Sequence, residues 1–298
     1  MKNPDAQKVM KLVEHAIDMH VHPMPDLIQR GFTDKECAYA AITLGMDGYV
    51  IKNHYWPTEY QLQSLNDGFG KKILFGSITL NHYVGGINPY AAEVALGLGA
   101  KVVWLPTRHA KNHMEHTVPG KILFNPAISL REGTGIELLD EKGKLIPEMY
   151  EIFKLIVEYD ACLMTAHISN KEAYVVCTEA LKNNVKNIVL SHPDFSVNMT
   201  PLDMQIDLAK KGVFIEKTMF GIHSGVRSVE EMLESVRRIG PDMCIFSTDY
   251  GPSVLPKPWE GIIECVCLLQ ENGFSDQQIK MMICNNPHHL LNLDCPTH

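Results

Sequence analysis

The 298-residue sequence has no run of about 18 consecutive apolar residues, the length that a membrane-spanning helix requires. It also lacks a basic stripe: the formal net charge is −8 and the pI is near 5.9. The N-terminal segment MKNPDAQKVMKLVEHAIDMH has no apolar core of the signal-peptide type. We therefore expect a cytoplasmic protein that binds neither membranes nor nucleic acid.

Cysteine pairs of the CxxC type are absent, although the chain has eight cysteines. Cys162 and Cys244 lie inside apolar runs that are typical of buried strands. This pattern predicts free thiols in a reducing compartment. A chain of this length, with 45% hydrophobic and 21% charged residues, can bury a sizeable core without disulfides or a structural metal. We therefore expect any bound metal to be catalytic.

Short apolar or β-branched runs recur along the chain, and helical patterns lie between them. The eight runs are residues 16–22, 47–54, 72–80, 101–107, 161–167, 187–192, 212–218 and 243–249. They are apolar on both faces, as parallel strands covered on both sides are. The amphipathic helical patterns are residues 33–45, 89–99, 147–159, 170–184, 200–212 and 228–240. Most begin at a Ser, Thr, Asn or Pro and end at Gly or Asn, which predicts capped helices.

This regular alternation predicts one (β/α)8 TIM-barrel domain over residues 1–298. A doubly wound α/β sheet is the structural alternative, because periodicity does not show whether a sheet closes. The interval between the fourth and fifth runs is longer than the others, so residues 107–146 are predicted to be an insertion after strand four. We expect this insertion on the active face, where it could act as a lid, and its EKG sequence predicts a hairpin turn.

Histidine is abundant, with 14 residues, and several histidines lie where a predicted strand ends. His20 and His22 stand two apart at the end of the first strand, so their side chains share one face. His167 ends the fifth strand, His192 the sixth and Asp249 the eighth. Each histidine taken alone is as well explained as a core or rim residue. Together, five ligand-type residues at the carboxyl ends of strands predict a metal site, because barrel enzymes place their chemistry there.

These residues carry a family resemblance. HVH after strand one, histidine after strands five and six, and STD after strand eight resemble the amidohydrolase superfamily, including its phosphotriesterase-like and TatD-like branches. The tail NNPHHLLNL is similar to an ending common in that superfamily. The segments KNHYWPT and ELLDEKGKLIPE resemble a cytosolic amidohydrolase-like branch. The resemblance covers nearly the whole chain but defines no substrate.

The resemblance implies a set of metal ligands. His20 and His22 would bind a more buried metal together with Asp249, while His167 and His192 would bind a second metal or assist a single one. One or two divalent ions are expected, with zinc as the first choice and manganese, iron or nickel as alternatives. Asp249 would act as the general base that takes a proton from activated water and passes it to the leaving group.

Lys52 is a further candidate metal residue, because the sequence departs from the family pattern. Binuclear members share a bridging carboxylated lysine or glutamate, commonly from strand four, but strand four here ends in WLPTRH with neither at its tip. Lys52 ends strand two and is a substitute, since a lysine with a lowered pKa can react with CO₂ to form a carbamate. The alternatives are that Lys52 stays charged and binds a substrate anion, or that it forms a structural ion pair.

Loop residues at the same end of the barrel are candidates for substrate binding. His54 and Tyr55 follow strand two, and His82 follows strand three. Arg108 follows strand four, and its guanidinium suits an anionic group. Glu216 ends strand seven and either contacts substrate or has a structural role. For the others, loop packing is the alternative.

Two further histidines, His109 and His113, stand four apart in the predicted insertion. This is the spacing of many helical ligand pairs. However, no carboxylate or cysteine ligand set accompanies them, so the stretch is predicted to be a solvated loop and not another metal site.

The residues favour a metal-dependent hydrolase that acts on a small amide, cyclic amide or lactone, and less readily on a phosphoester. A metal-dependent decarboxylase or other lyase with the same ligands is the alternative within enzymes. The third alternative is a barrel that binds metal without catalysis, because fold alone does not imply an activity. The expected partner is a small-molecule substrate, and a homo-oligomer is an option that the sequence leaves open.

Overall fold

A computed structural model describes residues 6–116, 130–131 and 133–295. The described residues form nine short strands, each of which is parallel to its paired neighbours. They are β1 (Ile17–Val21), β2 (Gly48–Ile51), β3 (Leu74–Phe75), β4 (Ser77–Thr79), β5 (Val102–Trp104), β6 (Cys162–Met164), β7 (Ile188–Leu190), β8 (Phe214–Thr218) and β9 (Cys244–Ser247). The order is β1-β2-β3 followed by β4 to β9, and β3 and β4 are two halves of the third predicted strand.

Backbone hydrogen bonds between the ends of β1 and β9 close the sheet into a barrel. The Asp249 amide donates to the His20 carbonyl at 2.8 Å, and the His22 amide donates to the Tyr250 carbonyl at 2.8 Å. Val21 and Tyr250 form a parallel bridge at the same place. The predicted (β/α)8 TIM barrel is therefore confirmed, and the doubly wound alternative is excluded.

Gly76 separates β3 from β4 because a helix approaches the backbone at this point. The Gly76 amide donates to Glu59 Oε2 at 2.8 Å. A Cβ at position 76 would lie 2.5 Å from the Glu59 Cα, so only glycine fits beside this helix. The third barrel strand thus stays continuous in space while its ladder is interrupted at one residue.

The described helices cover the outside of the barrel and close its lower end. They are α1 (Ala6–Val13), α2 (Asp34–Leu44), α3 (Glu59–Phe69), α4 (Pro89–Gly97), α5 (Lys111–His116), α6 (Pro147–Glu158), α7 (Asn170–Lys182), α8 (Leu202–Lys210), α9 (Met219–His223), α10 (Val229–Ile239), α11 (Pro258–Glu271), α12 (Asp276–Lys280) and α13 (Asn286–Leu290). The six predicted helices are confirmed to within two residues at each end. Capping boxes begin α2, α7 and α10, with the caps Thr33, Ser169 and Ser228.

Two barrel helices, α3 and α11, were absent from the sequence prediction, for opposite reasons. The buried face of α3 consists of Glu59, Leu62 and Asn66, so it carries almost no apolar stripe. Asn66 compensates for its burial by bonding the backbone of β3 and the residue before it. In α11 the run GIIECVCLL is apolar on nearly every side, which hides the helical period.

Side chains fill the barrel interior below the carboxyl ends of the strands. A substrate can therefore enter the barrel only at that end. Met19, Trp104 and Met164 belong to this inner core, and Leu290 and Leu291 close it from below.

All eight cysteines are free thiols, as predicted. Within the described residues, none of the helices has both the length and the apolar character of a membrane span.

The insertion after strand four contains α5 and the predicted hairpin turn. The turn is confirmed, because the Asp140 amide donates to the Lys144 carbonyl at 2.8 Å. After α5, the chain returns to the barrel, where the Ile136 amide donates to the His109 carbonyl at 2.7 Å. The lid was predicted within residues 107–146, of which residues 117–129 and 132 lie outside the described part of the chain.

Candidate metal centre

A cluster of metal-ligand side chains lies at the carboxyl ends of β1, β7 and β9. One ligand atom from each of His20, His192 and Asp249 lies within 4.8 Å of the others. His192 and Asp249 have left-handed backbones, with φ of 26° and 54°. Such conformations cost about 1–3 kcal/mol for residues other than glycine, and they concentrate at functional sites. The turns after β7 and β9 thus direct two potential ligands towards the end of β1.

Asp249 contacts both histidines of the HVH sequence. Its Oδ1 lies 3.1 Å from His20 Nε2 and 3.3 Å from His22 Nε2. The side chain of Asp249 remains 14% exposed, while that of His20 is 1% exposed. The carboxylate therefore contacts the histidines and still reaches the open end of the barrel.

Glu216 orients His20 from beneath. Its Oε1 lies 3.0 Å from His20 Nδ1, and its Oε2 accepts a hydrogen bond from the His192 amide at 2.9 Å. With the ring proton on Nδ1, His20 donates to the Glu216 carboxylate, and Nε2 presents its lone pair towards Lys52 Nζ and Asp249. Glu216 is fully buried. Its contacts are with the two histidine residues, which matches the structural role, one of the two alternatives that the sequence left open.

Asp18 also organises this cluster, and the sequence analysis missed it. Its Oδ1 accepts from the amides of His20 (3.1 Å) and Thr248 (3.0 Å), and its Oδ2 accepts from the Thr248 hydroxyl at 2.6 Å. Asp18 therefore holds the end of β1 against the end of β9. The sequence did contain a signal for Asp18, because Asp18, His20 and His22 are two residues apart and share one face of the strand.

Burial keeps the histidines of the cluster uncharged. It lowers the pKa of His20 and of His192 to about 3, and it lowers the pKa of His22 well below the ordinary range. Neutral imidazole is the form that coordinates a metal. Burial also raises the pKa of the Asp249 carboxyl and lowers that of Lys52 to about 8.

Lys52 points into the cluster and is 1% exposed. Its Nζ lies 3.0 Å from His20 Nε2 and 3.9 Å from the centre of the Trp104 ring. Trp104 ends β5, the fourth barrel strand, which is where the family resemblance implied a bridging lysine or glutamate. The end of this strand thus carries an indole, and Lys52 reaches the cluster from the second strand.

His167 lies on the other side of His192 and makes a close pair with His113. The Nδ1 atoms of His167 and His113 are 2.6 Å apart, and the rings stack at 4.6 Å. The ring of His167 is 4.9 Å from that of His192. The expectation that the segment with His109 and His113 is a solvated loop was wrong, because both side chains are buried against the barrel end.

The predicted substrate residues lie at different depths. His54 is buried: its ring stacks on His22 at 4.8 Å and its Nδ1 lies 2.9 Å from the Thr107 hydroxyl. Tyr55 is buried with its ring 5.0 Å from that of Tyr83. His82 is exposed, and its Nε2 contacts a backbone carbonyl of the insertion. Arg108 has a lowered pKa because it is largely desolvated by burial.

Several buried atoms of the cluster lack the hydrogen bonds that burial normally requires. Neither ring nitrogen of His192 has a partner, and neither does His22 Nδ1. Such atoms are rare in folded proteins and call for an unplaced water or ion. Imidazole nitrogens with a carboxylate oxygen are donors that suit Zn²⁺, Mn²⁺, Fe²⁺ or Ni²⁺. The residues present therefore fit a divalent metal ion.

Comparison with solved structures gives the class of the fold. An amidohydrolase from Pseudomonas aeruginosa is 11% identical with a TM-score of 0.64, over 96% of this chain and 98% of that one. The probable dipeptidase PvdM from the same species is 12% identical with a TM-score of 0.65, over 96% and 98%. A 2,6-dihydroxybenzoate decarboxylase from Rhizobium is 10% identical with a TM-score of 0.54, over 94% and 99%. The chain therefore has the barrel fold of these solved structures, which include an amidohydrolase, as the sequence predicted.

The family follows from the sequence match. Residues 15–216 match DUF6282, a family of unknown function, and this chain belongs to it. A comparison with curated proteins found no match.

Proposed function

We propose that this chain is a metal-dependent hydrolase that cleaves a small amide, cyclic amide or lactone. The observation that carries the proposal is the facing pair of His20 Nε2 and Asp249 Oδ1, 3.1 Å apart. With Nδ1 protonated towards Glu216, both facing atoms present lone pairs, which suit either the Lys52 ammonium, 3.0 Å from His20 Nε2, or a bound metal ion. Two ligands of one tetrahedral zinc ion are roughly 3.3 Å apart, given bond lengths of about 2.0–2.2 Å.

The proposed ligands are His20, His22, His192 and Asp249, with His167 and Lys52 adjoining them. A divalent ion held there would supply Lewis acidity, which polarises a carbonyl or phosphoryl oxygen and lowers the pKa of water from about 15.7 to about 7. Glu216 fixes the tautomer of His20, so the lone pair is available before an ion arrives. The number of ions and the identity of the metal are part of the proposal to be measured.

Asp249 is the proposed general base. Of the two carboxylates that contact the His20 ring, Asp249 is 14% exposed and Glu216 is 0% exposed. Only Asp249 can therefore reach a water molecule or a substrate from the open end of the barrel. Its Oδ1 contacts the histidines, which leaves the second oxygen available to accept a proton and return it to the leaving group.

A decarboxylase is the second candidate. The observation that favours it is the concentration of cationic side chains beside His22, which suits a carboxylate on the substrate. Burial is the largest cause of the lowered pKa of His22, and the positive charges of Arg30 and Lys52 lower it further. A lyase would use the same metal centre to hold the carboxylate-bearing substrate while CO₂ leaves.

The test begins with metal analysis of the purified protein and ends with assays on the metal-free form. We expect bound divalent metal, loss of activity on lactones, cyclic amides and dipeptides after chelation, and recovery with Zn²⁺ or Mn²⁺. The exposed His289, at the lower end of the barrel, provides the control variant His289→Gln, which should keep full metal content. Full activity of verified metal-free protein would refute the proposal, and CO₂ release without hydrolysis would favour the decarboxylase.

A further inference from the structure

We propose that His54 donates a hydrogen bond from its Nε2 to the carbonyl oxygen of the substrate, and that Thr107 and Asn81 fix the tautomer that this bond requires. The proposal rests on the function proposed above and adds to it a contact with the group to be cleaved. His54 is then a catalytic residue, and Thr107 and Asn81 are positioning residues that act through it.

The side-chain amide of Asn81 has a fixed orientation, because backbone groups contact both of its ends. Its Oδ1 accepts a hydrogen bond from the Thr107 amide at 3.0 Å, and its Nδ2 donates to the His54 carbonyl at 3.0 Å. A flipped amide would place donor against donor at one end and acceptor against acceptor at the other. Asn81 Nδ2 therefore also donates to the Thr107 hydroxyl oxygen, 2.7 Å away.

The Thr107 hydroxyl consequently donates to His54. Its oxygen already accepts from Asn81, and the side chain is buried. Within the described part of the chain, the other hydrogen-bond contact of this hydroxyl is His54 Nδ1, at 2.9 Å. Because a buried hydroxyl hydrogen needs an acceptor, Thr107 Oγ1 donates to Nδ1. The proton of the neutral imidazole then lies on Nε2.

His54 and His20 thus have opposite partners at Nδ1 and opposite groups at Nε2. His20 Nδ1 faces the Glu216 carboxylate, which leaves a lone pair on Nε2. His54 Nδ1 faces a hydroxyl donor, which leaves a hydrogen on Nε2. The first arrangement suits a metal ligand, whereas the second suits a hydrogen-bond donor to an oxygen.

His54 lies beside the metal centre, where the substrate carbonyl is expected. Its ring stacks on that of His22, a proposed ligand, with the ring centres 4.8 Å apart. His54 is 6% exposed, and its Nε2 has no hydrogen bond to residues 6–116, 130–131 or 133–295. A donor in such a water-poor site stabilises the negative charge that develops on a carbonyl oxygen during hydrolysis. Neutral imidazole is able to act as this donor.

The first measurement is the tautomer of His54 in the metal-free full chain, by long-range ¹H–¹⁵N correlation with ¹⁵N-labelled histidine. We expect a protonated Nε2 and an unprotonated Nδ1, assigned by the loss of their signals in His54→Gln. Thr107→Val nearly keeps the shape but removes the hydroxyl, so we expect a mixture of the two tautomers. The exposed Thr43 on α2 provides the control Thr43→Val, which should leave the signals unchanged. A proton on Nδ1 in the unmodified protein, or an unchanged tautomer in Thr107→Val, would overturn the proposal.

The second measurement is the binding of 2-pyrrolidinone, a cyclic amide, to protein equilibrated with Zn²⁺. We expect the probe to shift the Nε2 signal of His54. The amide nitrogen of glutamine lies near the position of Nε2 and that of asparagine near the position of Nδ1, so His54→Gln keeps the donor and His54→Asn loses it. His54→Asn should weaken binding about tenfold, and His54→Gln by about twofold or less. On any lactone or cyclic amide that is turned over, kcat should fall by about 10² to 10³ in His54→Asn alone.

His289→Gln is the matched control, because His289 is exposed at the lower end of the barrel, and it should bind the probe like the unmodified protein. Absence of binding, equal weakening in both His54 variants, or binding that leaves the Nε2 signal unshifted would overturn the contact. Neither the tautomer nor the binding measurement requires turnover. The expected results in both, together with an absence of hydrolysis, would therefore refute the hydrolase and leave His54 as a donor to a carbonyl oxygen.

Discussion

Asp249 and Glu216 are two carboxylates on one histidine, and their surroundings give them different roles. Glu216 is buried, and its two oxygens contact His20 Nδ1 and the His192 amide. It therefore acts as a positioning residue. Asp249 keeps an exposed edge at the barrel end. The difference lies in depth: Glu216 belongs to β8 itself, whereas Asp249 belongs to the turn after β9.

Asp249→Asn is expected to lower kcat by about 10² to 10⁴, because asparagine nearly preserves the shape but cannot accept a proton. The measurement is kcat at matched metal content, since Asp249 is also a proposed ligand. Asp203→Asn, with a side chain that is 95% exposed, is the control and should keep full activity. A kcat near that of the unmodified protein would rule out the role of base.

Lys52→Ala tests whether the amine belongs to the metal centre. The Nζ lies 3.0 Å from His20 Nε2, so a carbamate formed there would present its oxygens at the cluster. We expect the variant to lose bound metal, measured by elemental analysis after equilibration with Zn²⁺. Lys217→Ala would be a poor control because Lys217 is buried on Asp194, so the exposed Lys182 serves instead as Lys182→Ala. Unchanged metal content with a raised KM would assign Lys52 to binding a substrate anion.

At the scale of single elements, one histidine attaches α13 to the lower end of the barrel. His288 Nδ1 lies 2.8 Å from the Cys284 carbonyl, and His288 Nε2 lies 3.0 Å from Asp47 Oδ2. Both neighbours are oxygens that accept, so the ring is favoured with both nitrogens protonated. Burial alone would lower the pKa of His288, but these bonds raise it to about 10.

This contact predicts how stability depends on pH. The pKa of His288 is raised from about 6.5 in the unfolded chain, so its stabilisation is complete below that pH. The stabilisation is then lost progressively as the pH rises from about 6.5 through about 10. We expect the free energy of unfolding to fall over this range, and His288→Gln to flatten the fall. The exposed neighbour variant His289→Gln should keep the full slope, and an unchanged slope in His288→Gln would contradict the assignment.

The elements also show which local patterns predict structure well. Helices with one apolar face and a Ser or Thr cap were predicted to within two residues, because both signals are local. Helix α3 was not predicted because Glu59 and Asn66 occupy its buried face. Each forms a hydrogen bond with the backbone of the third barrel strand. Such pairing depends on a contact between separate elements, and no local pattern encodes it.

At the scale of the whole molecule, a bound ion would join strands that are far apart in the chain. The proposed ligands come from the ends of β1, β7 and β9. An ion that binds the folded protein alone stabilises it by about 2.7 kcal/mol at a hundredfold excess over Kd. For a chain of this size, that corresponds to a rise in Tm of roughly 4 °C.

Thermal unfolding with and without chelator therefore tests the metal centre independently of any substrate. We expect Zn²⁺ to raise Tm of the chelated protein by about that amount, and expect no rise in His192→Asn, which removes a ligand. The surface variant Asp203→Asn should respond like the unmodified protein. An equal rise in His192→Asn would place the stabilising ion elsewhere.

The sequence by itself determined the barrel and the strand ends at which the ligand-type residues stand. Both depend on short-range properties: alternating burial, capping signals and the residue that follows each strand. Only the tertiary structure decided which of these side chains meet. Asp18 joins β1 to the turn after β9 across 230 residues. Lys52 reaches His20 from the second strand, and Arg30 and His22 both lie against Gly251. These contacts exist because closure of the barrel brings distant strand ends together. No local sequence pattern predicts a contact between residues so far apart in the chain.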